Sequence, residues 1–456
     1  MQSVPADIEE VQGLSSPSLI NDQNFLQAVS QMATRQEVVA GSAIYASSGL
    51  KLLDAGIRID HRLYERLRLH RLMAPIDQCL KAQHPVDIAS LKAMVMLLSE
   101  SSLLGRQLSS HLGTQQHVVL KVLEHMPWPQ QASFKITVMR AQLPQLFEHS
   151  VLMMMTAVFL AVKQRLSLND CAELAAAAML HDVGMLYMPP SWTNASHKLT
   201  AQERKQLAAH SITAMLVVRE TGVYSRRAED AVLEHHERLD GSGYPRHVKA
   251  AAISPWGRIL MLAEVVSAFY SKFTDMPAQR LSLMLRMNHR RFDDELLKHV
   301  HALLTETEVS TTGGVAHTSS EVRQVVATLA AVMKTWEVSK RQLPETWQSM
   351  HGAAAVSYVD MRMQSLEKAL AESGSHPLQQ ADWLKMFEEE PSSMAEMVLI
   401  NKEALWQVES CVEACIRQWP QLLKPQNPLE VIVEDWLVNC RIVLGLQSPP
   451  SDAAQT

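Results

Sequence analysis

The stretch HHERLDGSGYP, residues 235–245, places two adjacent histidines and an acid–base pair directly before a glycine-rich turn. A hydrophobic core gains nothing from neighbouring imidazoles. A metal site does, because neutral imidazole is a ligand for transition ions. The Asp-Gly and Ser-Gly pairs that follow are turn formers, and Gly241 is expected to stop the helix opened by Ser225. If His235 and His236 hold a metal, other chain segments must supply the remaining donors.

Working outward from 235, unusual polar residues recur on helical stretches. His210 lies in a segment opened by Thr200 and Glu203, a capping-box pair. His181 and Asp182 end the Ala-rich CAELAAAAMLHD, for which Asp170 and Glu173 are expected to form a capping box. His149 precedes the apolar run 151–162, and Glu264 sits within LMLAEVVSA. The segment 258–273 is apolar nearly all round and is expected to be buried. A lone carboxylate there costs several kcal/mol unless a partner answers it. A cation would, with five histidines and Asp182 completing its shell. Mixed imidazole and carboxylate donors suit Fe, Mn, Zn, Ni or Co. Seven candidates are too many for one ordinary site, so the natural count is two ions. Two ions about 4 Å apart can bridge a hydroxide and clamp a phosphate for in-line displacement.

The remaining composition narrows the class. The 456 residues are 47% hydrophobic and 20% charged, and the net charge of -6 disfavours a general nucleic-acid or membrane-surface binder. The apolar run VLMMMTAVFLAV (151–162) is shorter than the ~20 residues that span a bilayer. The polar N-terminus is not a secretory signal, and five cysteines without a Cys-x-x-Cys pair fit a reducing cytoplasm.

Along the chain, residues 1–25 lack periodicity and are expected to be disordered, as is the tail 447–456. Residues 26–85 read as a small α+β unit with a regulatory or docking role. Within it, AIYASSGLKLLDAGIRI forms short strands about the Ser47-Ser48-Gly49 turn, and Asp60 caps a helix to Leu72. A helical connector, 86–134, is interrupted at MPWPQQ (126–131) and leads to a core at 135–305. A linker at 306–318 then precedes a helical region, 319–446, with breaks near 376–377, 391 and 424–428. The expected fold class is mainly α.

HDVGMLYMP (181–189) and HHERLDGSGYP together resemble the HD-GYP family, a branch of the HD phosphohydrolase superfamily. The resemblance covers residues 135–305. It implies an all-helical metal-binding core and hydrolysis of cyclic di-GMP to pGpG or GMP through a metal-bridging hydroxide. It further implies a centre of two or three transition metal ions, iron or manganese first, and a protein signalling partner such as a diguanylate cyclase. His149, His181, Asp182, His210, His235 and His236 match family ligands. Glu264 stands where the family usually has Asp. His181 and Asp182 carry the catalytic role, with Asp182 as a bridging ligand. Gln145 occupies the place of a third-metal Glu, so two ions are expected. Gly243, Tyr244 and Pro245 shape the mouth of the site.

Two departures bear on activity. The first motif of the family ends in Lys, thought to hold the scissile phosphate, and here Met185 stands in that place. A basic segment that usually follows the last ligand helix is replaced by SKFTDMPAQR. Lys198, Arg246 and Arg258 are the candidates to supply positive charge to a substrate instead; the alternative for each is a solvated surface residue. Loss of the lysine also raises an alternative, a metal-binding signalling or interaction module with weak or no catalysis.

Overall fold

The structure is a computed structural model. It describes residues 22–446 except 61–62, 64–66, 68, 114–116, 194–196, 198, 274–276, 306–318, 373–375 and 378–390. The chain is mainly helical and divides into two compact units, one formed by residues up to 272 with 290–305, the other by 273–289 with 306 onward. The sequence reading kept 135–305 as one block; residues 273–289 instead belong to the unit formed with the C-terminal helices.

The first unit begins with α1 (Gln23–Ala33), where Asp22 caps the helix by accepting from the Phe25 amide at 3.0 Å. Residues 22–25, expected to be disordered, thus belong to this helix and its cap; the rest of the expected disordered N-terminus and the tail 447–456 lie outside the described residues. Four short strands follow. β2 (Ile44–Tyr45) and β3 (Lys51–Leu53) form the expected hairpin, whose turn uses Gly49 at φ 84°. β1 (Val38–Ala40) pairs antiparallel with β4 (Leu80–Ala82), which directly follows the one-turn helix α2 (Ile76–Cys79). Three-residue strands show no usable alternation, which hid this pairing in the sequence. Asp60 accepts from the Leu63 amide at 2.8 Å, and half of the helix expected over 61–72 lies outside the described residues; its expected end does not hold, because residues 69–70 turn and Leu72 forms an antiparallel bridge with Ala46.

The unit continues through α3 (Ile88–Ser101), α4 (Leu103–Leu112), α5 (His117–His125) and α6 (Gln130–Gln142), with a break at 126–129. Next comes α7 (Pro144–Lys163), the apolar centre of the unit. It starts at Pro144, so at 20 residues and a mean hydropathy of 1.5 in its most apolar window it is long and apolar enough to cross a membrane. The sequence reading took only its run 151–162. Protein already covers it, however: 72% of that window is buried, and α7 packs against α8 (Leu168–Leu180) and α12 (Pro255–Lys272). The row Ala175–Ala178 on α8 is fully buried.

Between α8 and α12 lie a 3-10 turn (Val183–Tyr187), α9 (Ala201–Ala208), α10 (His210–Glu220) and α11 (Arg226–Glu234). Three expected boundaries shift. The α8 cap is Ser167, whose Oγ accepts from the Asp170 amide at 3.1 Å, while Glu173 accepts from the Ser225 amide. The Thr200–Glu203 capping box exists, but its helix ends at Ala208 and His210 starts a new one. α11 ends at Glu234; Gly241, at φ 80°, serves a later turn. α14 (Asp294–Thr305) closes the unit.

The second unit contains α13 (Pro277–Met287), α15 (Ser319–Lys340), α16 (Ala353–Glu372), α17 (Pro391–Gln418) and α18 (Pro428–Leu444). Its core centres on Trp336 and Trp436, packed edge to face at 5.6 Å, with Val332, Val356, Val412 and Val433 around them. The expected linker lies outside the described residues, and α17 and α18 start at Pro391 and Pro428, where boundaries were expected.

Candidate metal centre

Five elements of the first unit converge their polar ends at one place. α7 brings His149 from its second turn, and α12 brings Glu264 from its middle. His181 is the C-cap of α8, with Asp182 next to it; His210 opens α10; His235 and His236 follow α11. The donors fall into two sets, each with its ligand atoms within 4.8 Å of one another: Asp182, His210, His235 and His236, and His149, His181 and Glu264. All seven residues singled out in the sequence are brought together. Asp182 faces both sets. Its Oδ1 lies 3.1 Å from His210 Nε2 and 3.6 Å from His235 Nε2, and its Oδ2 lies 3.2 Å from His181 Nε2. Glu264 Oε2 is 2.8 Å from His149 Nε2 and 3.5 Å from His181 Nε2.

The imidazoles are oriented from behind. Nδ1 of His181 lies 2.7 Å from the Ala178 carbonyl, Nδ1 of His210 is 2.7 Å from that of Leu207, and Nδ1 of His235 is 2.6 Å from that of Val232. A carbonyl only accepts, so each Nδ1 carries a proton and each Nε2 faces inward, where it offers a lone pair to a metal once any proton on it has left. Two atoms at the centre, His181 Nε2 and Asp182 Oδ1, are buried without a hydrogen bond of acceptable geometry, although oppositely charged groups lie close by. Buried polar atoms without partners are costly. Inward-facing Nε2 atoms, a carboxylate that faces both sets and these orphaned atoms fit divalent cations.

The electrostatics agree. Burial works against charge on His181, but the Asp182 and Glu264 carboxylates outweigh it and pull its pKa up to about 10. His210 is also raised, against burial, by Asp182. Burial resists ionisation of Asp182 and Glu264, yet the facing imidazoles hold both well below the usual carboxylate range. His235 and His236 are lowered, mainly by burial. The carboxylates therefore attract positive charge, which protons supply when a metal does not.

The turn after the histidines is built around them. The Tyr244 amide donates to the His236 carbonyl at 3.1 Å, and its ring lies 4.6 Å from that imidazole. A side chain at Gly243 would put its Cβ 2.4 Å from the Arg238 nitrogen, so only glycine fits. The Tyr244–Pro245 bond is cis. Gly184 meets the same limit: a Cβ there would lie 2.1 Å from the His210 carbonyl oxygen.

The expected substrate cations fare differently. Lys198 lies outside the described residues. Arg246 is spent on protein acids: its Nη2 lies 2.5 Å from Glu234 Oε1, and its amide donates to Glu237 Oε1 at 2.7 Å. Arg258 pairs with Asp293 at 3.0 Å and donates to the Ala250 carbonyl. Arg258 also lines a cavity of about 360 Å³ with Arg227, Ser254, Trp256 and Asp293, and none of the seven donors borders it. Sequence reasoning missed the supporting acids Glu234 and Glu237. Both are buried, and their signal was present in the quoted stretch: charged residues beside histidines that must themselves be buried.

Residues 135–296 match the HD domain family. Among characterised proteins, the chain is 33% identical over 122 residues to 3'3'-cGAMP-specific phosphodiesterase 1 of Vibrio cholerae, covering 27% of this chain and 28% of that one. It is 31% identical over 127 residues to a cyclic di-GMP phosphodiesterase of Pseudomonas aeruginosa, covering 27% and 30%. A cyclic di-GMP phosphodiesterase of Borreliella burgdorferi is 28% identical over 155 residues, covering 33% and 40%. The chain thus spans about a third of the length of the curated relatives it matches. The central segment is thus similar to HD domains. It carries the sequence motifs of the HD-GYP type, and its His-Asp pair lies at the junction of the two donor sets.

Proposed function

We propose that this chain is a metal-dependent phosphodiesterase of the cytoplasm that hydrolyses a cyclic dinucleotide, cyclic di-GMP first. The observation that carries this reading is Asp182, which turns one oxygen toward each of two donor sets in a segment similar to cyclic dinucleotide phosphodiesterases. The seven donors would hold two ions, iron or manganese. When bound, such ions supply charge stabilisation at phosphorus and a more acidic water. The chain's own residues do the rest. Asp182 and Glu264 bring the negative charge that selects divalent cations. The carbonyls behind His181, His210 and His235 hold the rings in one tautomer. Tyr244, its ring 4.6 Å from that of His236 and tilted 30° to it, adds an aromatic surface beside the donors on which a nucleobase can rest.

Met185 supports a second reading. It offers no charge where a phosphate contact is expected, and Arg246 and Arg258 are engaged with Glu234 and Asp293. In that reading the domain keeps its metals and acts through binding alone. Anaerobically purified, metal-loaded protein incubated with cyclic di-GMP, and in parallel with 3'3'-cGAMP, decides between the two. Linear dinucleotide or mononucleotide products are expected. Full metal occupancy with no product from either would leave the binding module.

A further inference from the structure

The 3-10 turn Val183–Tyr187 follows Asp182 directly, and the Met185 amide donates to the Asp182 carbonyl at 2.9 Å. One side of this turn lies against α10, where Gly184 approaches the His210 carbonyl too closely for any side chain. Its other side is held by the N-terminal unit. The Phe25 ring of α1 stacks on Tyr187 with centroids 5.1 Å apart and planes 13° apart. The Asn24 side-chain amide donates to the Tyr187 carbonyl at 3.0 Å. Phe25 is fixed in turn: the Lys135 ammonium of α6 sits 5.3 Å from its ring centre and is ion-paired with Asp77, both side chains about 5% exposed. The turn is thus gripped between two ligand-bearing or ligand-supporting layers, and one layer comes from outside the HD domain.

We propose that Asn24 and Phe25 are positioning residues for the metal-binding carboxylate Asp182, so that the N-terminal α+β unit is a working part of the metal centre. The inference rests on the metal-centre reading, though not on any particular substrate. Asp182 has short contacts to three imidazoles and must keep both oxygens aimed at different donor sets. A turn released at Tyr187 can rotate, and rotation at the residue after a ligand misdirects that ligand. Groups that orient ligands from outside change metal affinity by roughly 10- to 100-fold when removed.

The test is Mn2+ titration of the metal-free full-length protein, followed calorimetrically, for wild type, Asn24→Ala, Phe25→Ala and Phe25→Tyr. Val38→Ala serves as a comparison, because it truncates a fully buried residue of the same N-terminal unit. Asn24→Ala and Phe25→Ala should each weaken Mn2+ binding about 10-fold or more, and Phe25→Tyr, which keeps the stacked ring, should restore it. Val38→Ala should lower the melting temperature and leave Mn2+ affinity unchanged. If Phe25→Ala does not fold, Asn24→Ala still reads the grip, since it removes one hydrogen bond at a half-buried site. Unchanged Mn2+ affinity in the alanine variants, or an equal loss in Val38→Ala, overturns the proposal. A protein that binds Mn2+ but hydrolyses no cyclic dinucleotide counts against the proposed function alone, and a wild type that binds no Mn2+ overturns both.

Discussion

At His181, His210 and His235 the structure solves one problem three times, using the carbonyl three residues earlier in the chain to fix the ring. Each histidine therefore presents Nε2, and the acids between them set the charge. Replacing Asp182 with Ala should abolish binding of at least one ion and remove the stabilisation that bound metal gives the folded state. Elemental analysis and thermal denaturation with and without Mn2+ measure both; an Asp182→Ala protein with wild-type metal content would show that the centre lies elsewhere. The protonation states give a second prediction. In metal-free protein His181 is raised from 6.5 to about 10, so the folded state holds a proton that the unfolded chain has lost between those values. The stability it contributes is complete below pH 6.5 and disappears as pH rises through about 10. Asp182 and Glu264 are depressed, so their contribution is present above the usual carboxylate range and is lost at lower pH. Metal-free protein should therefore lose stability from pH 6.5 upward, and Mn2+ binding at pH 8 should expel at least one proton per chain. Calorimetry in two buffers of different ionisation enthalpy counts that proton, and a count of zero would contradict the assigned charge states. Met185 gives a third. It is half-buried in its turn, so a lysine there can keep its stem packed and its ammonium in water. Met185→Lys should raise kcat/KM for cyclic di-GMP by about ten-fold or more, the effect of roughly 1–3 kcal/mol from a charge-assisted phosphate contact. No change at equal metal occupancy would mean that the absent lysine does not limit the protein. The seven residues that cluster here stood out in the sequence because a buried His or Glu has few other uses. The pairing of Arg246 with Glu234 and of Arg258 with Asp293 was not legible, because sequence shows a cation but not the acid that answers it.

At the scale of elements, helices were readable and their ends were not. The Ala-rich α8 and the apolar α7 and α12 declare themselves by composition, yet the α8 cap proved to be Ser167, with Glu173 serving Ser225 instead. Capping boxes look alike in sequence whether the acid turns back on its own helix or reaches another. The same ambiguity hid Glu234. Its Oε2 accepts from the Ser254 amide at 2.9 Å and from its hydroxyl at 2.6 Å, while Oε1 holds Arg246. It thus ties the end of α11, which leads into His235, to the start of α12, which carries Glu264. Glu234→Ala would leave Arg246 and the Ser254 amide without their partner. Because Arg246 is about a third exposed, a loss of roughly 2–3 kcal/mol is expected, below that for a fully buried pair. Asp170→Ala, which breaks the exposed pair with Arg227, should cost at most about 1 kcal/mol. Urea denaturation of the two variants compares them directly, and equal losses would mean that Glu234 is not a tie between the ligand helices.

For the molecule as a whole, division into two units does not follow chain order. Sequence composition changes most visibly at the Thr- and Gly-rich stretch after 305, which is where a boundary was read. The exchange of 273–289 into the second unit left no such mark, because α13 is amphipathic like its neighbours and says nothing about which core receives it. In the structure α13 packs with α16 and α17, burying Ala278, Leu281 and Leu285, and Asn288 accepts from Arg362 of α16. A chain cut after Thr305 would retain the whole HD match yet strip α13 of both partner helices. Two fully buried leucines returned to water cost about 1.5–3 kcal/mol each, and a continuous apolar stripe on a surface helix invites association. The fragment 1–305 should therefore bind a hydrophobic dye and run as an aggregate or oligomer in size-exclusion chromatography. The same fragment with Leu281→Glu and Leu285→Glu should return to a monomer, because the exposed helix no longer needs a cover. A monomeric, dye-silent 1–305 without those substitutions would show that α13 finds adequate cover within the first unit and that the division at 273 does not govern folding.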